Sequence, residues 1–194
     1  LNYFSAISGN WIRDKLPAKQ LYGKIFGVIG LGRLGKITAK IANGFGMKVI
    51  GFDKNKKIKL NKVKNVSINT LLTKSDVISL HIHLNKQNQN FIDRKKISIM
   101  KPDVTLINTS RGKIINENDL IYFLKLRKEF KAALDVIDGE WLSKKKLKQH
   151  KLIKYANRND NLVIVPHIGG ATNESIYGAR SFIIRKLKNE IKNI

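Results

Sequence analysis

Cysteine is absent from the 194 residues. Disulfides and thiolate chemistry are therefore excluded, and a reducing cytoplasm suits the chain. No apolar run is long enough to span a bilayer and no signal-peptide pattern is visible, so no membrane partner is expected. Internal repeats and long linkers are also missing, and 42% hydrophobic content supports one sizeable core. The first residue is Leu1 rather than Met, which raises the expectation of an excised or incomplete piece. Acid is scarce: 14 Asp and Glu face 38 Lys and Arg, a net charge of +24. Such a balance can mark nucleic-acid or acidic-surface binding. Here Lys dominates Arg, and no recognition helix, zinc spacing or aromatic RNA-stacking motif accompanies it. The charge is read as a bias toward Lys, Asn and Ile on solvated faces, with no specific nucleic-acid partner and no metal.

What is present is organised around residues 24–35, KIFGVIGLGRLG. An apolar run enters Gly30-Leu31-Gly32-Arg33-Leu34-Gly35, and a helical pattern follows at once. In such a turn the first glycine allows the tight bend and the second lets backbone approach a pyrophosphate. The third lets helix pack on strand. The phosphates then face the helix N-terminus, where unpaired N–H groups favour negative charge. Asp53 closes the next apolar run, 47–52, at about the twenty-residue spacing expected of an acid that binds ribose hydroxyls. Together these point to a dinucleotide; a purely structural glycine turn is the alternative. Asp53 favours NAD over NADP, because a carboxylate repels a 2′-phosphate. Lys54, Lys56 and Lys57 pull the other way.

The remaining pattern alternates strands with helices. Strands are expected over 24–29, 47–52, 76–84, 104–108, 131–136 and 162–165. Helices are expected over 2–15, 34–43, 68–74 (capped by Ser67), 93–100, 116–125 (opened by Asn116), 143–156 and from Thr172 to Ile191. Residues 53–65 read as a Lys/Asn-rich loop. The strands are nearly continuously apolar, as in a parallel sheet covered on both faces, so the fold expected is α/β, a Rossmann-type doubly wound sheet.

Ligands in such folds lie beyond the carboxyl ends of the strands. Asp53, Arg111, Asp135, Glu140 and His167 all fall at or just after a strand end. Arg111 could hold an anionic or carbonyl group with paired donors. Glu140 and His167 could form an acid–base pair near neutral pH. Each also has an ordinary reading, as a surface arginine, a solvated loop carboxylate and a turn histidine.

GVIGLGRLG, LINTSRG, LDV followed by Glu140, and PHIGGAT together resemble the D-isomer-specific 2-hydroxyacid dehydrogenases of the phosphoglycerate dehydrogenase and glyoxylate reductase type. The resemblance runs from about Trp11 to the C-terminus. It implies that Arg111 binds the substrate carboxylate and carbonyl, that His167 is the proton donor and acceptor, and that Glu140 partners it. It also implies that Asp135 sits near the nicotinamide carboxamide. Gly30, Gly32, Arg33, Leu34 and Gly35, with Thr109, would meet the cofactor, and Asp53 its adenosine ribose. The implied reaction is hydride transfer between NAD(H) and C2 of a small 2-keto or 2-hydroxy acid in a homodimer. Trp141 departs from the family's usual proline, Asn88 from its threonine, and His81-Ile82-His83 from its His-x-Pro. Full members carry a further N-terminal substrate domain. Residues 1–15 are thus expected to be a connecting helix, 16–171 the dinucleotide-binding domain, and 172–194 a helix returning toward the substrate domain. An NAD-sensing interaction module, like the co-repressors that resemble this family, is the rival reading.

Overall fold

The computed structural model describes residues 7–11, 19–55, 58 and 60–191. Apolar runs form seven strands: β1 (Ile25–Ile29), β2 (Lys48–Phe52), β3 (Val63–Asn65), β4 (Val77–Leu80), β5 (Thr105–Asn108), β6 (Lys131–Leu134) and β7 (Leu162–Ile164). They make one sheet in the order β3-β2-β1-β4-β5-β6-β7, and every pairing is parallel. The chain leaves β1 toward β2 on one side and later returns to β4 on the other. The order reverses at β1, and a crevice opens there beyond the carboxyl ends of the strands.

Alternation along β1 supplies both faces of the sheet. Phe26 and Val28 join Ala39 and Ala42 of helix α1 (Arg33–Gly44) and Met47 and Val49 in one apolar cluster. Ile29 joins the larger cluster with Leu71 and Leu72 of α2 (Ile68–Lys74). That cluster also takes Ile97 of α3 (Arg94–Ser98), Leu120 and Phe123 of α4 (Glu117–Leu126), and Leu152 of α6 (Lys151–Ala156). Caps fall where expected: Ser67 accepts the Thr70 N–H, and Asn116 accepts those of Asn118 and Asp119. Thr172 accepts the Ser175 N–H at the start of α7 (Asn173–Ile191). None of the nineteen residues of α7 is buried, and Tyr177, Phe182 and Ile183 are exposed along it.

Four expectations are corrected. Residues 63–65 are not loop but an edge strand, paired with β2 from Val49↔Val63 to Gly51↔Asn65; one half-buried valine is its only apolar side chain. The strand expected over 76–84 stops at Leu80, because the chain turns out of the sheet at His81 into the crevice. The helix expected over 93–100 is shorter, with Asp93 as its cap through the Lys96 N–H. The single helix expected over 143–156 is two, α5 (Lys144–Lys148) and α6, because the His150 ring accepts the Leu152 N–H and starts the second. The helix expected over 2–15, apart from Ile7–Trp11, and Lys56 and Lys57 lie outside the described residues.

Candidate functional site

The glycine turn closes the first half of the site. Gly30 has φ +95°, a conformation L side chains avoid, and a Cβ there would meet the His81 carbonyl oxygen at 2.5 Å. A Cβ on Gly35 would collide with the Gly30 carbonyl, so α1 sits directly on the turn. Gly32 is different: nothing lies within 4 Å of its Cβ position. It caps α1 with no side-chain hydrogen bond, and no acid occupies the first turn. Open space, unclaimed N–H groups and Arg33 together fit a pyrophosphate.

Gly30, Gly32, Arg33, Leu34 and Asp53 line one cavity of about 360 Å³ with Phe52, His81 and His83. Asp53 Oδ2 accepts the Leu31 N–H at 2.7 Å and Oδ1 the Asn55 N–H at 2.8 Å. A carboxylate has about four lone-pair directions, so each oxygen keeps one for a sugar hydroxyl. His81, which lies inside the strand expected over 76–84, also faces this cavity. Its Nε2 lies 2.9 Å from Ser79 Oγ, and burial lowers its pKa below the ordinary histidine value. Asn88 is buried and structural: its Oδ1 accepts the Asn85 N–H and its amide donates to the His83 carbonyl.

The second half lies after β6 and β7. His167 Nδ1 and Glu140 Oε1 are 2.9 Å apart, with Glu140 largely covered. A carboxylate accepts only, so the proton between them sits on Nδ1 and leaves Nε2 for other work. Glu140 Oε2 is buried with no hydrogen-bond partner among the described residues. His167 has φ +52°, and the strain is held by its neighbours. Its N–H donates to the Asp135 carbonyl at 2.9 Å, while the Asp135 carboxylate accepts from Ile168 N–H at 2.7 Å and Gly169 N–H at 3.0 Å. Asp135 is buried and grips the histidine loop, a task for which sequence gave no signal beyond an acid at a strand end.

Glu140, His167 and Asp135 line a second cavity of about 980 Å³ with Trp141, whose ring centroid is 6.3 Å from that of His167. Arg111 and Thr109 line neither cavity. Both are exposed, and Arg111 Nη1 donates to the Ser110 carbonyl at 2.6 Å. The turn carrying them is fixed by buried Asn108, whose amide donates to the Arg111 carbonyl and whose Oδ1 accepts the Ser110 N–H. Among the described residues no group of His, Asp and Glu could hold a metal, and no helix is long and apolar enough to cross a membrane.

Comparison with known proteins bears on this arrangement. The family model for the NAD binding domain of D-isomer specific 2-hydroxyacid dehydrogenase matches residues 5–169. Glyoxylate reductase of Thermococcus litoralis is 38% identical over 190 residues, covering 93% of this chain and 55% of that protein. Hydroxypyruvate reductase of Thermotoga maritima is 36% identical over 183 residues, covering 94% and 58%. The crystal structure of D-lactate dehydrogenase from Aquifex aeolicus, complexed with NAD and lactic acid, superposes with a TM-score of 0.85 at 31% identity, covering 98% of this chain and 60% of that one. The chain thus spans little more than half the length of these relatives. The glycine turn, its acid and the histidine–glutamate pair stand on a sheet that belongs to the D-isomer specific 2-hydroxyacid dehydrogenase family, as its NAD-binding domain.

Proposed function

We propose that this chain supplies cofactor binding and proton transfer for an NAD-dependent oxidoreductase that interconverts a small D-2-hydroxy acid and its 2-keto acid. The observation that carries this reading is the His167–Glu140 contact at 2.9 Å. Gly30, Gly32, Arg33, Leu34, Gly35 and Asp53 hold the dinucleotide, and Thr109 and Asp135 border its nicotinamide end. The bound nicotinamide supplies or takes the hydride at substrate C2. His167 gives a proton from Nε2 to the carbonyl oxygen during reduction and takes it back from the hydroxyl during oxidation. Glu140 fixes the ring through Nδ1 and stabilises the imidazolium. Arg111 binds the substrate carboxylate and offsets charge developing on the oxygen.

Asp53 supports NAD over NADP. The family resemblance supports a homodimer and the lack of cysteine suits the cytoplasm, while the uncovered apolar side chains of α7 suit the substrate domain toward which that helix is expected to return. Sedimentation over a range of concentrations tests the dimer.

The central test pairs NADH binding by the 194-residue chain with NADH oxidation by a panel of 2-keto acids. Turnover is followed with the chain alone and with it joined to the N-terminal portion of a relative such as the glyoxylate reductase. Binding together with oxidation of at least one acid supports the proposal. Binding without turnover of any acid in the joined protein favours the interaction-module reading, and no binding refutes both.

A further inference from the structure

Glu117 is the first residue of α4, and it is buried at 7% exposure although hydride transfer gives it no task. A carboxylate in that position is costly unless it is partnered. Its Oε1 accepts the Asp138 backbone N–H at 2.8 Å. Its Oε2 lies 3.5 Å from His150 Nε2 and 3.5 Å from Lys151 Nζ. His150 Nδ1 accepts the Leu152 N–H, so the ring proton is on Nε2, which donates to the Asp138 carbonyl at 2.9 Å. Both backbone polar groups of Asp138 are therefore held by side chains from outside its loop. The Asp138 side chain is exposed and its Oδ1 lies 3.9 Å from Lys113 Nζ, so Glu117 and His150 hold the backbone and the loop side chain is paired separately.

That grip lies where the loop after Arg111 packs on the loop that leads to Glu140. Asp138 stands two residues before Glu140 in sequence. On its other side, Gly112, next to Arg111, packs against the same peptide: a Cβ there would collide with the Ile137 carbonyl carbon and the Asp138 nitrogen. Glu117 ends the short segment that begins at Arg111, and its location in the first turn of α4 favours negative charge.

We propose that Glu117 is a positioning residue that fixes the loop 137–140 so that Glu140 meets Nδ1 of His167. The inference rests on reading Glu140 and His167 as the acid–base pair. Its removal frees the loop, and Glu140 then loses its hold on the ring. Glutamine keeps an oxygen for the Asp138 N–H and restores the hold.

The test is 15N NMR of the histidine rings in the 194-residue chain, with the His167 signals identified by their loss in His167→Gln. The wild-type ring is expected to carry its proton on Nδ1. In Glu117→Ala the ratio of Nδ1–H to Nε2–H forms should fall about fivefold, the factor for one ordinary hydrogen bond. In Glu117→Gln it should stay within about twofold of wild type, since the acceptor oxygen is retained. A folded Glu117→Ala with an unchanged ratio overturns the proposal and leaves Glu117 a role in stability alone. If Glu117→Ala does not fold, Glu117→Asp, whose shorter side chain withdraws the acceptor from the Asp138 N–H, is read instead; a fall in the ratio supports the proposal and an unchanged ratio overturns it. A wild-type ring protonated on Nε2 overturns the acid–base pairing itself, and the proposal with it.

Discussion

The carboxylate of Asp53 accepts the Leu31 backbone N–H at 2.7 Å, which ties the acid at the end of β2 to the turn at the end of β1. One side chain thereby shapes the glycine turn and lines the cavity beside it. Asp53→Ala should raise the Kd for NADH by about tenfold or more, as expected for loss of charge-assisted hydrogen bonds. The Kd for NADPH should change less, because repulsion of a 2′-phosphate is removed as well. Fluorescence titration of both cofactors measures the difference, and an unchanged ratio would show that Asp53 serves the turn alone.

The glycines of the turn separate stability from binding. Gly32→Ala meets open space, so its effect on unfolding should stay within about 1 kcal/mol, as for an unfavourable helix cap. Its effect on NADH affinity should be a loss of about tenfold or more, because the methyl stands where backbone must approach phosphate. Gly35→Ala drives a methyl into the Gly30 carbonyl and should cost about 2 kcal/mol or more in urea unfolding. Equal effects of the two substitutions on stability would contradict this division.

The proton-transfer assignment predicts a graded series in the joined, active protein. His167→Ala should lower turnover by about 10²–10⁴-fold while NADH affinity stays nearly constant. Glu140→Gln keeps the geometry but weakens the charge on the ring, and should cost less than removal of the ring. Arg111→Ala should raise KM for the acid and lower turnover together. Near-normal turnover in His167→Ala would sink the mechanism.

Stability should fall in two separate acid windows. Burial lowers the folded-state pKa of His81 below its ordinary 6.5. The unfolded chain then binds more protons as pH drops below about 6.5, so stability present above that pH is lost below it, by at most about 1.4 kcal/mol per pH unit. Asp76 opposes its own partial burial by accepting the Ile25 N–H at 2.7 Å and a Lys101 Nζ bond at 2.8 Å, and its folded pKa lies below the ordinary 3.8. Its contribution is present above pH 3.8 and is lost as pH falls through the folded value. His81→Gln should remove the upper window and leave the lower one, read by urea unfolding at a series of pH values.

The parts of the fold that sequence reasoning reached are those with a local signal. β1 and β2 are apolar runs ended by a glycine and an acid, and α4 carries its cap and acids in order. Val63–Asn65 has no such signal, because an edge strand of this length with one apolar residue has no period to detect. The break at His150 was hidden because lysines on both sides are good helix formers and the cap is an imidazole. Of the candidate residues at strand ends, Asp53, Glu140 and His167 line the two cavities and Arg111 lines neither. That Asp135 would turn onto the N–H groups of Ile168 and Gly169, and Glu117 onto that of Asp138, depends on how distant loops meet. No spacing along the chain encodes that.

The left-handed backbone of His167 has a further consequence. Folding by itself would prefer glycine at that position, since a side chain at φ +52° costs on the order of 1–3 kcal/mol. A histidine stands there all the same, with Asp135 holding the peptide that carries it. Under the proposed proton transfer, position 167 sets persistence of the fold against chemistry. Selection for heat resistance alone, with no demand for turnover, would be expected to erase the histidine before it touched the glycine turn.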